Sequence, residues 1–516
     1  MKKFFFGLAK LIGAVLFLFV AWFVTSVWWP LSVPEAPPRA ASILIKNTNV
    51  VDVLSGEIKP EQDIFVRDGV IIQVGSNLNV VAEQIVDGNG RFAIPGLFDM
   101  HMHSFKMSPS LTHPMFVAAG VTAVRDLGGC LGIYDAWVAC ADEKRAWTFA
   151  AKSGDIVGPK YDHIASMQID GGNEIPDALD VALGAGTADG ARARVSFDKA
   201  RGIDFLKTYT MLPPDGYFAL AAAALESDMY LAGHLPFKVS ALDAIKAGQR
   251  SFEHALFFIW ECFPDIDQIR NSEDPFLLYD NQLRMRMIAE HDAEICQVLY
   301  KAMADAGVAF DPTHTTRKLD AYAKNEAFRS DERLKYIPHP LRIMWLQDAD
   351  GMAKRAGEGG QESYDAIYNF GLQQTAQAHK AGVRVLVGTD APDSFVFPGL
   401  AVHDEMSHLV DAGLSPLDAL RAATLEPARF LGLDGKAGVV AVGSRADIVL
   451  LRSNPLEDIS AVREIQSVIN SGTYYDRAQL DELLSLVEAN ASSWTIWPKF
   501  IWQIYNSPLM LKQFAD

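Results

Sequence analysis

At 516 residues and 56.6 kDa the chain exceeds one ordinary domain and suits a large barrel with a smaller module beside it. Its hydrophobic content of 49% is ample for a buried core, and a net charge of −18 argues against a nucleic-acid or anionic-membrane surface, because both reward clustered Lys and Arg. Four cysteines, Cys130, Cys140, Cys262 and Cys296, form no C-x-x-C pair and suggest no thiolate metal site; Cys130–Cys140 is a short loop that a disulfide would close in oxidising surroundings, with free buried thiols as the alternative.

The N-terminus, MKKFFFGLAKLIGAVLFLFVAWFVTSVWWP, places Lys2, Lys3 and Lys10 ahead of an uncharged run from Leu11 to Trp29. As a helix that run spans about 28 Å, close to the hydrocarbon thickness of a bilayer. The lysines mark a cytoplasmic side, and Trp28 and Trp29 an interfacial aromatic belt. Residues 1–30 therefore read as a single-pass transmembrane signal-anchor in the inner or plasma membrane, with the bulk of the protein periplasmic or extracytoplasmic. A signal peptide cleaved near Val24-Thr25-Ser26 is the rival reading and leaves a secreted protein on the same side. The lipid bilayer is thus an expected partner, and nucleic acid is not. Residues 31–41, rich in proline, read as a linker.

Residues 42–95 and 433–475 break into short strand-like runs punctuated by Asp-Gly and Asn-Gly turns. Because they flank a long alternating region, they are expected to close into one composite β-sandwich built from both ends. Within residues 96–432, eight short β-like runs, from PGLFDMHMH to VRVLVGTDAP, are mostly followed by helical patterns such as DGYFALAAAALESD. That alternation predicts an α/β fold, a TIM-like (β/α)8 barrel with its chemistry at the carboxyl ends of the strands. Residues 264–306 and 316–380 read as helical insertions over the barrel mouth.

The run FAIPGLFDMHMHSF spends two of the chain's 12 histidines, His101 and His103, one residue apart. Alternate side chains of a strand leave the same face, so both imidazoles point one way, with Asp99 behind them as support. Taken alone, the pair suits a metal site or a polar cap on a buried strand. The other polar residues at strand ends are Lys207 at the fourth, His234 at the fifth, His254 at the sixth and Asp390 at the eighth. Six such groups falling on one rim favour metal ligation over scattered structural roles. Arg125 and Asp126 read as an internal ion pair below the site, with contact to substrate as the alternative. His163 and Met167 read as pocket or barrel filling, and His113, His403 and His408 as positions without a metal role.

PGLFDMHMH, DFLKTY, AGHLP, FEHAL and VGTDAP resemble the successive metal-binding motifs of the amidohydrolase superfamily, and GLSPLDALRAATLEPARFLGL followed by GSRADIVLL resembles its last helix and returning β module. The similarity spans residues of about 42–475, and its nearest branch is the imidazolonepropionase-related group that keeps the strand-four lysine. The resemblance implies two divalent metal ions, most simply Zn²⁺ with Mn²⁺, Co²⁺ or Ni²⁺ as alternatives. His101, His103 and Asp390 would hold one ion and His234 and His254 the other. Lys207 would bridge them as a CO₂-derived carbamate, since an ammonium cannot ligate a cation. Hydrolysis of an amide, dipeptide, N-acyl or cyclic amide C–N bond is implied, by a water activated between the ions with Asp390 as general base and then acid. Tyr209 and His314 are candidate oxyanion donors. A small molecule or short peptide is the expected substrate. Lactone or phosphotriester hydrolysis, or a non-catalytic binding role on the same scaffold, are the alternatives; oligomeric state is left open.

Residues 476–516 form a helical, aromatic tail. SWTIWPKFIWQIYNSPLML spaces Trp494, Trp497, Ile501 and Tyr505 by three or four, interrupted at Pro498. Packing on the barrel is the default reading, and docking at a membrane interface is the alternative.

Overall fold

The computed structural model describes residues 2–171, 185–272, 275–357 and 360–513. The apolar N-terminal run is one helix, Lys2–Trp28, whose stretch Phe4–Trp28 is long and apolar enough to cross a membrane and touches the rest of the chain at its last turn, where Ser26 is buried. No regular element follows until β1 (Ser42–Asp52), β2 (Glu57–Arg67), β3 (Val70–Gly75), β4 (Gln84–Asp87) and β5 (Phe92–Pro95). Eight strands come next: β6 (Leu97–Met102), β7 (Val121–Asp126), β8 (Lys160–Ile164), β9 (Phe205–Thr208), β10 (Tyr230–Gly233), β11 (Gln249–Glu253), β12 (Ala309–Asp311) and β13 (Arg384–Val385). The strands β14 (Ile448–Leu451), β15 (Ile465–Asn470) and β16 (Thr473–Asp476) return to the first group.

The outer strands make a single sheet in the order β16-β15-β14-β5-β1-β2-β3, with β4 also bonded to β1. It joins both ends of the sequence, as expected, but as one hydrogen-bonded path rather than two facing sheets. The reason lies in β1, which pairs with β4 through Ile43–Lys46 and with β5 through Asn49–Val50, its register slipping against β2 in between. An irregularity of that kind bends a strand, so one sheet curls around its own core of Ile45, Val50, Ile64, Val66, Ile448 and Leu450. The Asp-Gly signal between β2 and β3 places both turn residues at positive φ, Asp68 at 51° and Gly69 at 77°, the geometry a two-residue hairpin requires.

The inner strands run parallel in two groups, β6-β7-β8 and β9 to β13. Parallel bridges Ala165–Phe205 and Met102–Ala391 join the groups at both edges, so the eight strands close a circuit. Every residue of β6 and β7 is buried, as expected for parallel strands covered on both faces. The regular part of the eighth strand is only Arg384–Val385 because its backbone then divides its partners: Leu386 N–H goes to Phe310, Val387 N–H to Ala422, and Thr389 N–H to His101. Connecting helices have ordinary sequence causes. Ala293–Ala306, for example, is capped by the Asp292 carboxylate on the Glu294 and Ile295 N–H groups and ends at Gly307 with φ 67°.

The helices Ile266–Arg270, His339–Ala356 and Gly360–Lys380 fall within the expected insertions, and Ile266, Leu341 and Trp345 wall the cavity above the strand ends. Both cysteine pairs are disulfides, Cys130–Cys140 and Cys262–Cys296, each with Cα atoms 5.1 Å apart. In the tail, Arg477–Ala491 buries Leu480, Leu483 and Val487, and Ile496–Tyr505 buries Ile496 and Phe500. The opposite face of that last helix stays exposed.

Candidate metal centre

The six polar residues expected at the strand ends meet in one cluster. An Asp390 carboxylate oxygen lies 2.8 Å from His103 Nε2 and 3.2 Å from His101 Nε2, and the other lies 3.9 Å from His254 Nδ1. The ring centroids of His101 and His254 are 5.1 Å apart and those of His234 and His254 4.5 Å apart. Lys207 Nζ reaches to 3.5 Å from His103 Nε2. Elements β6, β9, β10, β11 and the chain after β13 each supply part of the set.

Local backbone explains how. His254 and Asp390 have φ of 72° and 65°, a left-handed conformation that costs a side chain about 1–3 kcal/mol and turns each one out of simple strand alternation. Gly388 permits the close approach: a Cβ there would sit 2.3 Å from an Asp311 carboxylate oxygen and 2.6 Å from His101 Cβ. Asp99 takes the supporting place foreseen for it. Its carboxylate accepts from the His101 N–H at 3.2 Å and from the Thr389 N–H and hydroxyl at 3.0 and 2.7 Å, tying β6 to the chain that carries Asp390. Burial pushes that carboxyl up to about 7.

A charged support lies beneath. Arg125 is fully buried and donates to both Glu253 oxygens at 3.0 and 3.1 Å, to Ser251 at 2.9 Å, and lies 3.5 Å from Asp311. His101 Nδ1–H in turn donates to Glu253 at 3.2 Å, which aims Nε2 at the cluster. Against the cost of burial, Arg125 and His101 hold the Glu253 carboxyl down at about 2. Burial alone would lower His101, yet Asp390 and Glu253 raise it to about 9, whereas burial and Lys207 push His103 down to about 4 and His234 to about 3. Carboxylates that would hold a proton on His101 equally attract a metal cation, while His103 and His234 stay in the neutral form that ligates. Burial also lowers Lys207 from its ordinary value, favouring the uncharged amine.

The residues fit the ions expected of them. His234 Nδ1 is buried without a hydrogen-bond partner, and it lies in a set of nitrogen and oxygen donors. One ligand atom each from His101, His254 and Asp390 falls within 4.8 Å of the others.

Above the cluster is a cavity of about 1020 Å³, whose wall includes Lys207, Tyr209, His234 and Asp390 together with Trp260 and Trp345. Tyr209 packs edge-on against His234, centroids 4.4 Å apart, and faces this cavity. His314 does not. It is fully buried, its Nε2 paired with the Thr375 hydroxyl at 2.9 Å and its N–H with Glu405, because the chain after β12 turns at Thr313 (φ 43°) and starts a helix that carries the ring behind the wall. Arg125 and Asp126 are internal ion-pair residues, Asp126 with Lys144 at 3.0 Å. Met167 lines the cavity, and His163 bonds the Tyr230 hydroxyl. His113, His403 and His408 bond Tyr161, the Ala119 carbonyl and Tyr368, outside the cluster.

Glu253 and Asp311 beneath the cluster and Arg317 in the cavity wall are neighbours that strand reasoning missed. Glu253 stands beside His254 in FEHAL, and strict alternation would send the two to opposite faces. Only the left-handed backbone at His254 lets both serve one site.

A sequence profile of the Amidohydrolase family matches residues 207–474, more than half of the chain. The chain belongs to the amidohydrolase family. It is 22% identical over 475 residues to an ochratoxinase of Aspergillus niger, covering 80% of this chain and 82% of that one. A 61-residue segment is 41% identical to a dihydroorotase of Pelotomaculum thermopropionicum. That match is 12% of this chain and 14% of the relative, and the chain spans 14% to 20% of the length of the first curated relatives it matches. The solved bottromycin amidohydrolase superposes with a TM-score of 0.69 at 23% identity, covering 88% of this chain and 91% of that one, a likeness of fold. Membership in the amidohydrolase family agrees with the parallel strand circuit and the strand-end cluster found here.

Proposed function

We propose that this chain is a metal-dependent hydrolase of C–N bonds in small amides, short peptides, N-acyl compounds or cyclic amides, from the imidazolonepropionase-related branch with a bridging lysine. The observation that carries the proposal is the convergence of His101, His103, Lys207, His234, His254 and Asp390 in one cluster, all but the buried His101 lining one cavity. His101, His103 and Asp390 would hold one divalent ion and His234 and His254 a second, with carbamylated Lys207 between. When bound, such ions polarise a carbonyl and make water a nucleophile at neutral pH.

The chain's own groups do the rest. Asp390, lowered by His101 and His103 well below the usual carboxylate range despite its burial, is ionised and accepts the proton of the attacking water. Water oxygen bonds to the carbonyl carbon, the C–N bond breaks, and Asp390 returns its proton to the leaving nitrogen. Tyr209 offers an O–H toward the developing oxyanion. Arg317, which lines the cavity with Lys207 and pairs with Asp320 at 2.8 Å, suits a carboxylate on the substrate through its remaining donors, as in an N-acyl amino acid or a peptide. The helix Lys2–Trp28 anchors the protein, with residues 31–41 as linker, 96–432 as the hydrolase barrel and 42–95 with 433–475 as its companion module.

The test is to express the full chain with added zinc and bicarbonate, measure bound metal, and screen N-acyl amino acids, dipeptides and cyclic amides. About two transition-metal ions per chain and turnover of one class are expected. Metal-free protein after that loading, or loaded protein inert to every class, would refute the proposal.

A further inference from the structure

The exposed face of the helix Ile496–Tyr505 carries Trp497, Ile501, Trp502 and Tyr505, the last 73% exposed, with Trp494 just before it. Five bulky apolar groups on one short surface are more than a soluble face needs. The patch continues directly from the N-terminal apolar helix. The rings of Trp28 and Trp502 lie 6.4 Å apart, and Lys499 Nζ donates to the Val27 carbonyl at 2.9 Å. Asn490 fixes the junction by donating to the Ser32 carbonyl at 2.8 Å and accepting from its N–H at 3.2 Å. Charge points the same way: in a chain with 64 acidic residues there is none between Glu488 and Asp516, while Lys499 lies in that stretch.

The other side of this helix reaches the active-site cavity. Phe500 packs edge-on against Trp137 at 5.3 Å, and Trp137 stacks on Phe105, two residues past His103. Trp137 lines the cavity, as do Leu509 and Met510 of the next helix, Pro508–Gln513. Aromatic side chains on an amphipathic helix favour the interfacial zone of a bilayer, where an apolar body and a polar tip are both satisfied.

We propose that Ile496–Tyr505 lies in the membrane–water interface beside the N-terminal helix, and that the cavity walled by Leu509 and Met510 receives the acyl chain of an amphiphilic amide from that bilayer. This rests on the reading of the N-terminal helix as a membrane span and of the cavity as a C–N hydrolase site. The substrate class narrows to N-acyl compounds whose long apolar tail lies along the Trp137, Leu509 and Met510 wall while the amide reaches the strand ends.

The test uses the full chain in phosphatidylcholine vesicles with a single nitroxide, which is specific because all four native cysteines are paired. Labels at Leu18→Cys, Ile501→Cys and Val81→Cys are compared by collision with oxygen and with a neutral nickel complex; Val81, on the outer sheet module, is 94% exposed. The proposal expects oxygen to dominate at positions 18 and 501 and nickel at 81. A lipid signal at 18 with an aqueous one at 501 overturns the interfacial helix and leaves the span standing. Aqueous signals at both overturn both readings, and lipid at 501 alone refutes the span only. This arm needs no turnover, so it is independent of the hydrolase reading. In the second arm, N-dodecanoylglycine is expected to be cleaved in vesicles with kcat/KM about tenfold or more above N-acetylglycine. The variant Ile501→Ser with Trp502→Ser should erase that preference and keep the N-acetylglycine rate, which also reports folding. Equal rates for the two amides in the unsubstituted protein overturn the substrate assignment.

Discussion

Replacing Glu253 by Gln keeps the volume and removes one charge beneath the proposed metal site. The carboxylate now accepts from Arg125 through both oxygens, from the Ser251 hydroxyl at 2.5 Å and from His101 Nδ1–H at 3.2 Å. An amide cannot reproduce this. If its oxygen faces His101, its NH₂ meets the Arg125 and Ser251 donors. If the NH₂ faces His101, the imidazole must shift its proton to Nε2, which then cannot ligate. Either orientation leaves a buried donor without an acceptor, costing about 1–3 kcal/mol of folding stability. The loss of a supporting partner for a ligating histidine should weaken metal binding about 10–100-fold, or about 1.4–2.7 kcal/mol. Competition with a chromophoric chelator measures the affinity, and urea unfolding of the metal-free protein separates the stability cost. A chelator curve superimposable on that of the unsubstituted protein would show that Glu253 does not orient His101.

Asp390→Asn should lower amide turnover about 10²–10⁴-fold beyond any loss of metal, read as kcat at saturating zinc. Lys207→Ala should reduce the metal retained after gel filtration, and added bicarbonate should no longer raise it; unchanged metal content would remove the carbamate from the scheme. Replacing Cys262 and Cys296 together by Ser opens a loop of 34 residues, for which loop-closure entropy gives about 4 kcal/mol of stability, measurable by urea unfolding under non-reducing conditions. His113 is held down to about 3 by burial against an ordinary 6.5, so its contribution is complete above pH 6.5 and is lost as pH falls toward 3. His113→Gln should flatten that part of the stability–pH curve, by up to about 1.4 kcal/mol per pH unit.

The convergence of the six side chains was legible because each member ends an apolar run, and because strand–helix alternation tells which end of a strand faces the site. His101 and His103 needed only the two-residue period. Glu253 was hidden by that same period, since the turn at His254 depends on backbone torsion that no local pattern announces. His314 failed for a related reason: it follows β12 in sequence, but Thr313 bends the chain and the ring is drawn inward to Thr375. The sheet module was legible as a union of both chain ends, but not as a single bent sheet, because the register slip in β1 leaves no mark in composition. Cys262–Cys296 spans a helical insertion, and spacing alone could not propose it. The tail's amphipathic pattern was visible, while the side it buries became clear only with Phe500 against Trp137.

The order in which the outer sheet is assembled has a bearing on biogenesis. Strand β5 finds its neighbour β14 only after more than three hundred intervening residues have been synthesised, since Phe92–Pro95 pairs with Ile448–Leu451. Under the proposal that the first helix is held in a membrane, the far end of the chain must be delivered across before this sheet can zip shut. Until then the edges of β1 and β5 stand open to wrong partners. Completion of the sheet is coupled by topology to the arrival of the far end of the chain, so truncations near Ile448 should misfold at the amino-terminal sheet, far from the cut.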